Sequence, residues 1–347
     1  MDASGTAHDA AIEAQARLHH QWLLGLQLMV ATREGPEAVG EWMFRLFRRQ
    51  HHDKFLSSFA KLGLEGLPHA VACARYHVLS NGVGGVAVEY MKEGPRKAWV
   101  RFRHPRWMYD GAVICGIPIE ASRGFLRGWY AQNGVSLENP RLGFVCVSED
   151  MSGQFGLCGY FIEEDRELDE HERLRFAPAE RPPPFDPAAQ PAPPAEQWSA
   201  ERLARAGRNY AVEYCRNGIR ELSAVLGRER AVELGRLSAR LIGLQEYRRM
   251  AAAVGGEDAG PAEAAAFLAA MFAGMGDAAE VEVAGRTAAI RHQGLRVVRG
   301  IEGEAREDLL ACWTELWRGA VASHRAFIDV EARPEGEALR WTLTPAA

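Results

Sequence analysis

The sequence predicts an α+β protein of two tandem units, each running helix–helix–helix–β–β–α–β–β with an antiparallel sheet, joined by a Pro-rich linker. Three observations predict it. A Pro/Ala-dense segment, 177–197, divides the chain. On each side of it, apolar positions recur first at helical and then at alternating spacing. A local echo, FLRGWYAQ in one half and ELWRGAVAS in the other, stands before the last hairpin of each, with Arg and Gly near the end of the preceding helix. The resulting domains are 1–176, a linker at 177–197, and 198–347. The first carries the candidate site, and the second is a divergent repeat serving as scaffold or pseudo-dimer half.

In the N-terminal half the spacing predicts helices over 10–31, 36–62 and 67–80. Leu18, Trp22, Leu26 and Met29 form the inner stripe of the first. Asn81-Gly82 closes the third. Strands follow at 84–92 and 96–103, split by Glu93-Gly94-Pro95. A mixed segment, 106–133, holds a helix at 119–131. The closing hairpin is 142–148 and 154–162, turned by Met151-Ser152-Gly153. The linker is rich in proline, which removes donors and fixes φ, so it is expected to be extended and solvated.

In the C-terminal half Ser199 is an N-cap, with Glu201 in the first turn. Leu203, Ala206, Tyr210, Tyr214 and Leu222 recur near helical spacing up to Gly227. A second helix from Arg228 carries the stripe Leu234, Leu237, Leu241 and Leu244. After Gly255-Gly256 come a helix at 261–273, strands at 279–284 and 287–292 about Gly285, and a helix at 303–320. Strands at 326–332 and 338–343 meet at Pro334-Glu335-Gly336. Trp313 and Trp317 lie four apart on one helix face, as core residues or as an interdomain or oligomer contact.

Composition excludes several classes. Hydrophobic residues make up 47% and the net charge is −5, which fits a globular chain and argues against a nucleic-acid coat or a polybasic membrane anchor. No apolar run reaches the length of a membrane span, and the polar N-terminus does not read as a secretory signal. The six cysteines show no C-x-x-C spacing, so a reduced, cytoplasmic protein is expected.

Reactive residues concentrate in the N-terminal half, with nine of the eleven histidines and four of the six cysteines. The strand 97–103 alternates, with Ala98, Val100 and Phe102 on one face and Lys97, Trp99, Arg101 and Arg103 on the other. The second face offers cations and an aromatic plate to a planar anion, or is a solvated face with Trp99 covered by the linker. If Ser148 pairs with Gln154, Cys146 lies opposite Gly156 with Cys158 on the same face, as thiol nucleophile, metal ligand or buried small hydrophobe. The aperiodic segment 104–118 carries His104, Trp107, Tyr109, Asp110 and Cys115, suited to acid–base or covalent work or to packing by its own aromatics. The pairs His19-His20 and His51-His52, with Asp53, read as surface. His69 and His77 share a helix face but lie too far apart to chelate one ion. Gly82-Val83-Gly84-Gly85 precedes a strand, so no nucleotide cofactor is expected; a divalent metal is left open.

The element order, with a last hairpin carrying Gly156, Cys158 and Phe161, resembles the L-2-amino-thiazoline-4-carboxylic acid hydrolase-like family and the related 4-vinyl-reductase-type small-molecule-binding domains. The resemblance implies a pocket for a small, anionic molecule and, in some members, hydrolysis of a cyclic C–N bond. Gly159 stands where the family carries an aspartate, so residue transfer reaches Cys158 first, then Cys146 and Cys115. The expected function is thus a hydrolase or lyase acting on a small carboxylate-bearing, heterocyclic substrate. Cys158 or Cys115 would be nucleophile or metal ligand, Tyr109 and Asp110 would move protons, and Arg101, Arg103, Trp99 and Trp107 would hold the substrate. The alternatives are a non-catalytic small-molecule-binding or sensory module, and a structural protein that binds a partner or forms a homo-oligomer. Neither nucleic acid nor membrane is expected as a partner.

Overall fold

The computed structural model describes the backbone of residues 3–151, 153, 155–192 and 198–346, with side chains from residue 8 onward. It is an α+β protein with two sheets. The chain forms two compact units, one of residues up to Leu26 together with those from Ala204 onward, the other from Gln27 to Leu203. The sequence places its division at 177–197 instead. The difference follows from side-chain partners. In the first helix, α1 (Ala3–Glu34), Gln15 donates to the Met271 carbonyl at 2.6 Å and the Trp22 indole N–H donates to Ser238 Oγ at 3.2 Å. The Pro-rich segment, for its part, binds the sheet of the second unit, as described below.

The 27–203 unit continues with α2 (Pro36–Lys61) and α3 (His69–Val83). The hairpin β1 (Val88–Lys92) and β2 (Lys97–Phe102) leads to α4 (Ile119–Gly128) and the single turn α5 (Asn133–Ser136). Then come β3 (Leu142–Ser148), β4 (Cys158–Glu163) and β5 (Leu174–Phe176). The sheet order is β1-β2-β4-β3-β5, antiparallel except for β5, which runs parallel to β3. β5 is not foreseen from the sequence, because three residues carry no period. β1 starts later than its expected start at 84, since Gly85 turns the chain at φ 75°. Beneath the sheet His77 lies 3.9 Å from the Tyr130 ring and parallel to Phe161, while Tyr130 meets Phe144.

The other unit adds α6 (Ala200–Leu226), α7 (Arg228–Val254), α8 (Pro261–Met275), β6 (Ala278–Ala284) and β7 (Thr287–Gln293). It ends with α9 (Gly303–Ala322), β8 (Ile328–Glu335) and β9 (Ala338–Pro345). Left-handed glycines, Gly255 and Gly276, close α7 and α8, and Pro261 opens α8. The sheet order β6-β7-β9-β8 is antiparallel throughout. Its core is aromatic. Phe272 stacks on His292 at 3.9 Å with Trp313, Trp317 and Trp341 around it, so both tryptophans of α9 are core residues.

The leucine stripe expected on α7 is only partly buried: Leu234 is inside, but Leu241 and Leu244 are 50% and 45% exposed. The buried face instead carries Gly235, Ser238, Ala239 and Gly243, because α9 approaches too closely for larger groups. A Cβ on Gly243 would lie 1.8 Å from the Leu316 carbonyl oxygen, and one on Gly319 would lie 2.0 Å from that of Arg240. α2 and α4 meet in the same way, with Gly124 against the Gly40 carbonyl and Gly128 against that of Phe44. The two Arg-Gly echoes of the sequence, Arg127-Gly128 and Arg318-Gly319, are therefore both helix-contact glycines.

Three histidines read as surface are buried: His19, His20 and His51. Each helix turns them toward aromatic cover. His51 stacks on Phe55 and meets Ser136 Oγ at 2.9 Å, while its neighbour His52 stays exposed. His19 Nε2 accepts from the Trp313 indole N–H at 3.1 Å, which leaves Nδ1–H to donate to the Gln15 carbonyl at 2.8 Å.

Candidate functional site: three places in the 27–203 unit

The first place is the outer face of the sheet. β2 alternates as expected, with Ala98, Val100 and Phe102 inward. Its other face, however, is closed. Met91, Trp99, Val145, Val147, Cys158 and Tyr160 form one buried cluster, with Ala177 packed on it. Segment 177–192, expected to be solvated, is tied down here. The Ala177 amide donates to the Cys146 carbonyl, the Tyr160 hydroxyl donates to Glu180 at 2.8 Å, and Lys97 lies between Glu93 and Glu180 with its ammonium 4.1 Å from the Tyr160 ring centroid. Trp99 is 1% exposed, and its indole N–H is taken by Glu93. It presents no plate to a ligand.

Both guanidiniums on this face meet a carboxylate of the chain, though Arg103 stays half exposed. Arg101 donates to the Phe155 carbonyl at 3.2 Å, and both Arg101 and Arg103 face Glu89, at 4.0 and 3.6 Å. Cys146 pairs with Gly159 and Ser148 with Cys158, across a bulge; Gln154, the partner expected for Ser148, lies outside the described residues. Val145 and Val147 share the Cys158 cluster, so Cys146 between them alternates to the other side. Burial pushes both thiols up to about 12, with Glu149 adding to the effect at Cys146. At neutral pH such thiols hold almost no thiolate.

The second place is the loop after β2. It folds as two 3₁₀ turns, Trp107–Tyr109 and Gly111–Cys115. Beneath it sits a buried charge cluster that sequence reasoning missed. Arg106 donates to both Asp150 oxygens at 3.0 and 3.2 Å, Ser122 Oγ donates at 3.1 Å, and His104 Nε2 lies 3.3 Å away. Both Arg106 and Asp150 are almost fully buried, while the His104 side chain is 32% exposed. Burial alone would raise the Asp150 carboxyl. The Arg106 charge, joined by His104, outweighs it and holds the group below its usual range. Tyr109 is buried against the Arg106 guanidinium, and its phenol is pushed up by burial and then by Asp150. Trp107 and Asp110 are half-buried, and Cys115 is exposed. Of the four residues expected to share catalysis, Tyr109 belongs to the charge cluster and Cys158 to the covered sheet face. Asp150 falls in the hairpin turn, where an acidic residue carries no distinguishing signal.

The third place is a groove of about 560 Å³ along β1, walled by Leu62, Leu64 and Leu79 on one side and Ala188–Ala192 of the Pro-rich segment on the other. Gln190 holds that segment on the sheet edge. Its Oε1 accepts from the Tyr90 amide and its Nε2 donates to the Tyr90 carbonyl, both at 2.8 Å. Arg75, Tyr90 and Lys92 line the groove. Arg75 is a lone cation in the apolar run HAVACARYHVL, the one sequence signal for this place.

Among the described residues no three His, Cys, Asp or Glu side chains converge to hold a metal ion, and no helix is long and apolar enough to cross a membrane. No protein-family model matches the chain, and neither does any curated protein or solved structure.

Proposed function

We propose that this protein binds a small organic molecule in the groove along β1 and does so without covalent chemistry at Cys158 or Cys146. The observation that carries the reading is the groove itself. Its volume falls in the range of small-molecule sites, and its lining sets the polar groups of Arg75, Tyr90, Lys92 and Gln190 beside apolar side chains. The burial of Cys158 and Cys146 supports the non-covalent part. The expected hydrolase of a carboxylate-bearing, cyclic C–N substrate draws support from a different observation. His104, partly exposed and oriented by the buried Asp150, has the arrangement of a general base and its positioning carboxylate.

A thermal-shift screen with recovery of each hit by mass spectrometry separates the two readings. The binding reading expects compounds that raise the melting temperature and return unchanged. A hit returned hydrolysed by the wild type but intact from His104→Gln refutes it in favour of the hydrolytic reading.

We also infer that the two units descend from one duplicated unit. The shared order of the first four strands in each sheet and the paired contact glycines, Gly128 and Gly319, support this.

A further inference from the structure

The groove contains a cation without an answer. Arg75 is half-buried on α3. Its guanidinium lies 5.6 Å from the centroid of the Tyr90 ring, and its Nε is buried with no hydrogen-bond partner. The Tyr90 hydroxyl is buried and equally without a partner. Tyr90 cannot move away to find one, because its backbone amide and carbonyl are both held by Gln190. Buried donors without acceptors are rare in folded proteins and mark places where an acceptor belongs. Arg75 and Tyr90 both line the groove, beside Leu62, Leu64 and Leu79.

We propose that the groove takes a carboxylate with an apolar body. The guanidinium fork supplies donors for the two carboxylate oxygens. Ala188, Ala189 and Pro191, with the edges of the leucine side chains, take the apolar body. One guanidinium matches a monoanion; Lys92 lies at the exposed side and adds long-range attraction. Gln190 is a positioning residue, fixing both Tyr90 and the far wall. This inference rests on the reading of the groove as a binding site, and names its ligand class.

The test uses the full chain with ¹³C-labelled leucine methyls at pH 7.5. Three acid–amide pairs are titrated, phenylacetate, octanoate and indole-3-acetate, each against its neutral amide. The proposal expects at least one acid to shift the Leu62, Leu64 and Leu79 methyls and to bind about tenfold or more tighter than its amide, the factor expected of a charge-assisted contact. Arg75→Gln should erase that preference, and Arg75→Lys, which keeps the charge but not the fork, should retain part of it. Acids and amides that bind alike, whether or not Arg75 is changed, would overturn the carboxylate class and leave the binding site standing. Leucine methyls that respond to none of the six compounds would overturn both. The acid–amide comparison on the wild type decides the matter even where a variant folds poorly.

Discussion

Lowering the pH from 7.5 to 5.0 should strip much of the stability of both compact units through four histidines. His19 and His20 belong to one unit, and His51 and His77 to the other. Burial is the largest cause in each. It lowers His19 to about 4 and His20 and His51 to about 3, and it holds His77 well below its ordinary value. In the unfolded chain each titrates near 6.5. Between 6.5 and the folded value the unfolded state binds the proton and the folded state does not. Stability is therefore complete above about pH 7 and falls as the pH drops toward 4. At pH 5.0 the linkage amounts to about 2 kcal/mol for each of His19, His20 and His51, hence about 4 kcal/mol in the unit that holds the first two, a large share of the ~5–15 kcal/mol typical of a domain; His77 adds to His51 in the same direction in the other unit. Urea denaturation at the two pH values measures it. His51→Phe, which keeps a flat ring against Phe55, should lower the pH dependence of its own unit by about 2 kcal/mol. Equal unfolding free energies at pH 7.5 and 5.0 would refute the reasoning, since they would mean that these rings take up protons in the folded state as easily as in water.

Two further outcomes follow from named contacts. Asp150→Asn removes the carboxylate charge that the buried Arg106 guanidinium faces, and should cost about 3–5 kcal/mol in urea denaturation. The double variant Asp150→Leu/Arg106→Met should recover part of that loss; a double variant no better than the single one would count against a charge-burial penalty. Gly319→Ala places a methyl 2.0 Å from the Arg240 carbonyl oxygen and should cost about 1–3 kcal/mol, whereas Gly82→Ala, with open space around it, should be neutral or stabilising. Equal melting temperatures for the two glycine variants would contradict the close approach of α7 and α9.

The helices and hairpins were legible because glycine and proline punctuate them: Gly35-Pro36 before α2, Gly255-Gly256 and Pro261 around α8, Gly285 between β6 and β7. What resisted reading was decided by partners distant in sequence. The α7 stripe fails because α9 selects Gly243 over a leucine. His19 goes inside because Trp313 and Gln15 satisfy both ring nitrogens. The alternation of β2 was legible, and Trp99 covered by the linker was one of two readings of its second face, with nothing local to choose between them. No local pattern tells a Trp that binds a ligand from one that lies under 177–192. The charge cluster stayed hidden for the same reason, since Arg106, Ser122 and Asp150 meet only in space.

The contrast between the two sheets explains why one of them carries the groove. Across the outer face of the β6-β7-β9-β8 sheet runs the register row Glu280, Arg291, Arg340 and Arg333, beside Glu282, Ala289, Thr342 and Glu331. Its charges pair in place, Arg340 with Glu282 and Arg333 with Glu331, and water suits it. Across the outer face of the other sheet the row reads Met91, Trp99, Tyr160 and Val145. That row exposes too much apolar surface to be left in water, and segment 177–192 covers it. Proline keeps the segment out of helix and ladder alike. It therefore needs side-chain anchors, and Glu180 on Tyr160 and Gln190 on the edge of β1 supply them. The second anchor, in gripping the edge strand beside α3, leaves a gap between Ala188–Ala192 and Leu62, Leu64 and Leu79. The groove is thus a consequence of covering an apolar sheet with a chain that cannot join it, and Arg75 stands where that gap opens.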